Sequence, residues 1–249
     1  MTSLPPQMVT SGAPGCRSLG TALLHAAALF FLGCSDAGAQ ETDLTIGVSS
    51  GPVLRGIALG PEGISAQAAV GYYSTERWFV TVGAATLRWS SDAPRTVQLT
   101  PRVGYAWNLS GDWGAQLDYA HYGYPLASAL RAFEHDELGT TIAYRDLAFI
   151  SVAGLRSANA GADGSRWSLA YDLVGRVPLR LASAMTAGVG FRDLHHESGF
   201  GYWYGHLGIG TRIDAAHLEM SYIATDNTAK ARFGARASNR WTASLTWNF

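Results

Sequence analysis

About twelve stretches of this chain alternate apolar and polar residues one for one, and the connections between them run alternately long and short. Strict alternation places successive side chains on opposite faces of a strand. The stretches lie near 41–51, 63–73, 76–90, 96–108, 113–123, 136–145, 147–156, 165–176, 180–192, 201–212, 215–224 and 239–249. Long connections such as "GPVLRGIALGPEG", "GYPLASALRAFEH" and "DNTAKARFGARAS" are interleaved with short ones such as "YSTE", "LSGD", "VPL" and "ID". A soluble sandwich has no reason to alternate loop lengths in this way. An up-and-down membrane barrel does, because its periplasmic turns are short and its outer loops are longer. The expected fold is therefore all-β: a transmembrane antiparallel up-and-down β-barrel of about 12 strands, with both termini on the periplasmic side.

The last stretch, "WTASLTWNF", sharpens this expectation. Trp241, Ala243, Leu245, Trp247 and Phe249 share one face, and Thr242, Ser244, Thr246 and Asn248 share the other. A chain end frays unless something pairs with it, so this strand is expected to close against the first. Its apolar face would meet lipid and its polar face a lumen. Trp247 and Phe249 are the candidate assembly signal, docking on the barrel-assembly machinery as an edge strand.

Charge supports a lipid-facing exterior. Only 15% of residues are charged, against about 25% in ordinary soluble domains. The net charge of -1 and the lack of a basic stripe argue against nucleic acid as a partner. Residues 1–39 read as an export signal, with Arg17 ahead of the apolar run "LGTALLHAAALFFLG" and small residues at Ala37 and Ala39 before a cut at Gln40. The expected division is a signal peptide at 1–39 and an outer-membrane barrel at 40–249. Both cysteines, Cys16 and Cys34, fall inside the signal. The mature chain would then hold no disulfide, zinc thiolate or cysteine nucleophile. "FLGC" resembles a lipoprotein cleavage box ending at Cys34, although Phe31 and Leu32 depart from its small-residue pattern.

The tryptophans fall at strand ends. Trp78, Trp107, Trp113 and Trp247 are expected at the periplasmic rim, and Trp89, Trp167, Trp203 and Trp241 at the outer rim. Indole rings favour the bilayer interface, so two girdles follow.

With Phe249 toward lipid, parity turns a mixed set of charges inward. The pore-lining candidates are Arg102, Asp118, Glu137, Arg145, Asp172, Arg176, His206, Arg212 and Glu219, with Asp43 and His217 on the same face. The third and seventh strands have two similar faces and are left unassigned. Equal counting on each side of "LSGD" places Arg102 and Asp118 nearly opposite each other, which puts a cross-strand ion pair within reach. Such a pair either forms a charged constriction that filters solutes or neutralises itself while filling the interior.

Chemistry has little to stand on. "HHES", at His195 to Ser198, places its histidines and serine side by side on a loop, whereas a triad needs its groups held on rigid elements. Neither metal nor cofactor is expected, and the chain reads as a non-enzyme.

The stretch "VSSGPVLRGIALGPEGISAQAAVGYYS" resembles the opening of the TorF-type porins, a family of conserved hypothetical exported proteins. There an Arg-Gly-Ile/Val-Ser-Gln motif follows the first strand, and here Arg55, Gly56 and Ile57 match it, with Pro61 and Gln67 as counterparts further on. Ala58 and Leu59 replace the Ser-Gln pair. Further on, "YAHYGYPL" is similar to that family's Tyr-x-Tyr-Pro strand end and "HDELGTTIAYRDL" to the Glu-initiated strand that follows it, so the resemblance spans about Leu44 to Leu147. It implies a pore, with Arg55 as a candidate at the mouth. The function expected is a porin-like channel in the cell outer membrane, passing ions or small polar solutes. The alternatives are a closed structural or adhesive barrel acting through its loops, and an outer-membrane lipid-modifying enzyme.

Overall fold

The computed structural model describes residues 41–61, 63–157, 167–180 and 182–249. The expected signal peptide and Cys34 lie outside them. Twelve antiparallel strands close into a barrel: β1 Glu41–Ser49, β4 Ser65–Tyr73, β5 Trp78–Arg88, β6 Arg95–Ser110, β7 Trp113–Tyr122, β8 His135–Tyr144, β9 Ala148–Ser157, β10 Trp167–Pro178, β11 Ser183–Asp193, β12 Gly201–Ile213, β13 Ala216–Thr225 and β14 Arg240–Asn248. Each pairs with its neighbour in sequence, and the ring is completed where β1 lies between β4 and β14. At that seam the Phe249 N–H donates to the Leu44 carbonyl at 2.9 Å, and the Thr45 hydroxyl donates to Asn248 Oδ1 at 2.9 Å. Closure leaves no unpaired edge, which hydrocarbon would not tolerate.

Alternation sorts the side chains as in a membrane barrel. On β7, Gln116 and Asp118 are buried while Leu117 and Tyr119 are exposed. On β1, Thr45 is buried between exposed Leu44 and Ile46. The exterior is thus an apolar belt, and the polar side chains are those hidden from it. Aromatic pairs stand at both rims, including Tyr72 with Trp78, Trp113 with Tyr144, and Tyr222 with Trp241. Trp89 departs from its expected place in the outer girdle. It packs on Phe133, with ring centroids 4.2 Å apart, and lies under the Arg236 guanidinium. On β5 the inward set is Phe79 and Leu87, and Trp89 continues that parity beyond the strand end.

β5 and β9 were ambiguous because both of their faces are apolar. Inward Phe149 packs with Ala143 and Val174, and inward Leu155 with Ala153 and Ala170, while Ile150 and Val152 face lipid. Phe79 lies on Gly104, where a Cβ would clash with the ring.

The two ends of the barrel are built differently. At the short-turn end, Arg77, Gly111, Arg145 and Asp214 take left-handed backbone angles, as tight hairpin turns require. At the long-loop end the connections fold into structure. Between β1 and β4, a small hairpin of β2 Val53–Leu54 and β3 Ile57–Ala58 turns at Arg55 and Gly56, whose φ angles are 50° and 81°. Between β11 and β12 lies α1 His195–Ser198, and between β13 and β14 lies α2 Asn227–Phe233. Asp226 caps α2 by accepting from the Ala229 N–H at 2.8 Å, and its other oxygen accepts from the Trp203 N–H at 3.0 Å.

Candidate functional site

The hairpin turns into the barrel. Its tip residue Arg55 is 3.0 Å from Glu137 on the inward face of β8. Beside it, Gly56 lies against Tyr204 of β12 and Thr225 of β13, where a Cβ would come within 2.7 Å of both side chains. One turn therefore touches strands on separate sides of the interior. Glycine serves here for two reasons, since the backbone is left-handed and there is no room for a side chain. The hairpin's apolar residues are buried as well: Ile57 joins Leu194, Tyr202, Tyr204, Ala229 and Ala237 in a cluster under α1 and α2. Arg236 fastens the hairpin from above, its Nε donating to the Ala58 carbonyl at 2.9 Å while its guanidinium stacks over Trp89 at 4.4 Å.

Beneath the tip lies a cavity of about 80 Å³ whose lining includes Arg55, Arg102, Asp118, Tyr122, Glu137 and Asp172. Arg102 pairs with Asp118 at 3.1 Å. The two are diagonal rather than directly opposite: Arg102 faces Ala120 and Asp118 faces Gly104. An irregularity between Asn108 and Ser110 shifts the register, and an arginine is long enough to span the diagonal. Gln116 steadies Asp118 by donating to Oδ1 at 3.0 Å, and the Tyr204 hydroxyl donates to Asp172 Oδ1 at 2.7 Å. Two arginines and three carboxylates thus share one level of the lumen. Withdrawing such charges from water is costly, and pairing them with good geometry offsets the cost.

The pairing is incomplete. Among the described residues, Arg55 Nη1, Glu137 Oε2 and Gln116 Oε1 are buried without a hydrogen-bond partner, as are Gln67 Nε2, Glu219 Oε2 and Thr246 Oγ1 around the wall. A buried polar atom left unmatched costs free energy unless water or a solute meets it.

The remaining candidates divide by height. His206, Glu219 and Arg212 occupy the inward faces of β12 and β13, where Glu219 accepts from the Ser221 hydroxyl at 2.9 Å and lies 3.7 Å from His217 Nε2. Arg176 is at the short-turn rim, 3.1 Å from Asp146. Arg145 does not line the lumen. β8 ends at Tyr144, and Arg145 enters the turn with φ 48°, exposed and 2.7 Å from Asp112. Ionised Asp112 is favoured by the hydrogen bond from that guanidinium, which holds its carboxyl below the usual range. Tyr204, which joins the hairpin to Asp172, was not singled out in the sequence. It shares a face with His206, so parity alone would have found it.

The "HHES" segment forms α1 at the long-loop end. His195 Nδ1 is 2.6 Å from Asp193 Oδ1, and the backbone N–H of His195 donates to the same oxygen, which closes a local turn. Among the described residues no group of three His, Cys, Asp or Glu side chains is placed to hold a metal ion.

No protein-family model matches the chain, and no curated protein does. Among solved structures it is similar to the KdgM porin in complex with disordered oligogalacturonate, with 4% identity over 84% of this chain and 98% of that one and a TM-score of 0.50. A second structure of the KdgM porin aligns at 4% identity and a TM-score of 0.49 over 84% of this chain and 98% of that one. The toluene transporter TodX of Pseudomonas putida aligns at 10% identity over 93% of each chain, with a TM-score of 0.42. At such low identity the first likeness speaks to fold alone, and the fold it shares is that of a porin barrel.

Proposed function

We propose that the protein is a narrow porin-like channel of the outer membrane, passing ions or small polar solutes by diffusion. The observation that carries this reading is the lumen: a closed barrel with an apolar exterior turns polar side chains of both signs inward, around a cavity beneath Arg55. The hairpin tip narrows the path at Arg55, with Arg102 and the carboxylates Asp118, Glu137 and Asp172 around the constriction. Because both signs are present, selectivity between cations and anions should be weak. The similar KdgM porin was solved with oligogalacturonate, and a charged sugar is one solute to try. The match of Arg55, Gly56 and Ile57 to the TorF-type motif supports placing the constriction at this hairpin.

A closed barrel acting through its loops is the second reading. It is favoured by the apolar clusters at the long-loop end, where Leu87, Tyr124 and Leu130 form a second group beside Trp89. Single-channel current from folded protein in planar bilayers separates the two. Discrete steps support the channel, and a folded, heat-modifiable barrel without current overturns it. A lipid-modifying enzyme has no comparable support, since among the described residues no serine or threonine hydroxyl hydrogen-bonds to His195.

A further inference from the structure

On the outside of the barrel, at the long-loop rim, two arginines face each other. Arg88 is the last residue of β5 and Arg95 the first of β6, and they are direct cross-strand partners. Both are exposed on the lipid-facing side, at the end of a column that continues with Leu99, Val82 and Val103. Like charges placed directly opposite each other repel, so the arrangement calls for an anion. Among the described residues, neither arginine takes part in an ion pair. The contrast with the other rim is direct, because Arg145 and Arg176 each have an aspartate there.

The site also has walls. Arg88 and Arg95 border a cleft of about 50 Å³ closed by Pro52 ahead of the small hairpin and by Pro61 and Ile64 on its returning limb. Gly60 packs so tightly on the Arg88 carbonyl that a Cβ there would overlap it. The backbone beneath the pair is thus held by the loop. The level is that of Trp167, Trp203 and Trp241, which mark the outer interface. Lipid headgroups lie at that depth, and arginine is suited to forked contacts with phosphate oxygens.

We propose that Arg88 and Arg95 form a binding site for the phosphate group of an anionic lipid in the outer leaflet. The site ties the rim of β5 and β6 to that leaflet. The proposal rests on the membrane placement of the barrel and not on conductance.

The test uses the folded protein in neutral detergent micelles with purified lipopolysaccharide as probe, and inorganic phosphate at matched phosphate concentration as the second arm. Binding is read by titration with fluorescently labelled lipopolysaccharide, and stability by the temperature at which the heat-modifiable band converts. The double variant Arg88→Gln, Arg95→Gln should weaken lipopolysaccharide binding by about tenfold or more. Without lipid it should be at least as stable as the parent, because a repulsion has been removed. Arg77→Gln, at the opposite rim, should bind as the parent does. Unchanged affinity in the double variant, or an equal loss in Arg77→Gln, overturns the site. An equal shift with inorganic phosphate alone overturns its lipid source. A barrel that carries no current but binds in this way leaves the proposal standing, so the two readings fail separately.

Discussion

Two ion-paired arginines, one at each end of the barrel, are held in opposite ways. At the short-turn rim, Arg145 meets Asp112 in the open, with about half of each side chain exposed. At the long-loop end, Arg55 is carried into the lumen on a hairpin and meets Glu137 with 9% and 12% of the side chains exposed. The covalent chemistry is the same, and the energetic roles differ. In water an ion pair gains little over two hydrated ions, whereas inside a low-dielectric wall the loss of one partner strands the other. Turns at the first rim only have to reverse the chain. Loops at the second fold inward and over the barrel end, carrying Arg55 to Glu137.

Several variants sharpen or break this contrast, beginning with the largest effect. Replacing Pro52–Gly60 by a short Gly-Ser linker should raise single-channel conductance several-fold, because the narrowing element is not one of the barrel strands. The heat-modifiable barrel should persist, and unchanged conductance would show that the constriction lies elsewhere. Glu137→Ala should destabilise the protein by about 3–5 kcal/mol in denaturant unfolding followed by tryptophan fluorescence, since Arg55 is left buried and unpaired. A loss below about 1 kcal/mol, the scale of an exposed pair, would place Arg55 in effect in bulk water. Gly56→Val should cost about 1–3 kcal/mol for its left-handed backbone alone, and contact with Tyr204 and Thr225 should push the tip from its seat. Its channels should then be noisier or wider than the parent's.

The smallest effect belongs to the exposed rim. The native Asp112 carboxyl titrates below its unfolded value of 3.8. Its contribution is therefore present above that pH and is lost as pH falls through the native value. Asp112→Asn should remove this acid-side component and leave stability at neutral pH nearly unchanged. Comparing unfolding midpoints of the two proteins between pH 5 and pH 3, a range set around the ordinary aspartate pKa, reads the difference. A large loss at neutral pH would mean that this rim is as tightly coupled as the other.

Much of the wall could be read along the chain. Gln116 and Asp118 alternate with Leu117 and Tyr119, and the alternation alone set which pair is buried. Arg102 and Asp118 could be paired by counting from their turn, though the diagonal register could not, because one irregular residue shifts it. β5 and β9 resisted for a plain reason: Phe79, Phe149 and Leu155 are inward and apolar, so neither face differed from the other. Arg145 was misplaced by a single residue at a strand end, which is enough to move a side chain from wall to turn.

What the sequence by itself determined is the barrel. Period two, alternating loop lengths and aromatics at strand ends are local signals, and a strand that must hide every backbone polar group from lipid has few other folds open to it. What only the tertiary structure decided is the inside. That Arg55 reaches Glu137, 82 positions along the chain, that Tyr204 braces Asp172, and that Arg236 clasps the hairpin over Trp89 are contacts between distant segments. No local pattern encodes them, because an irregular loop has no period, and its path is set by the charges and cavities it meets.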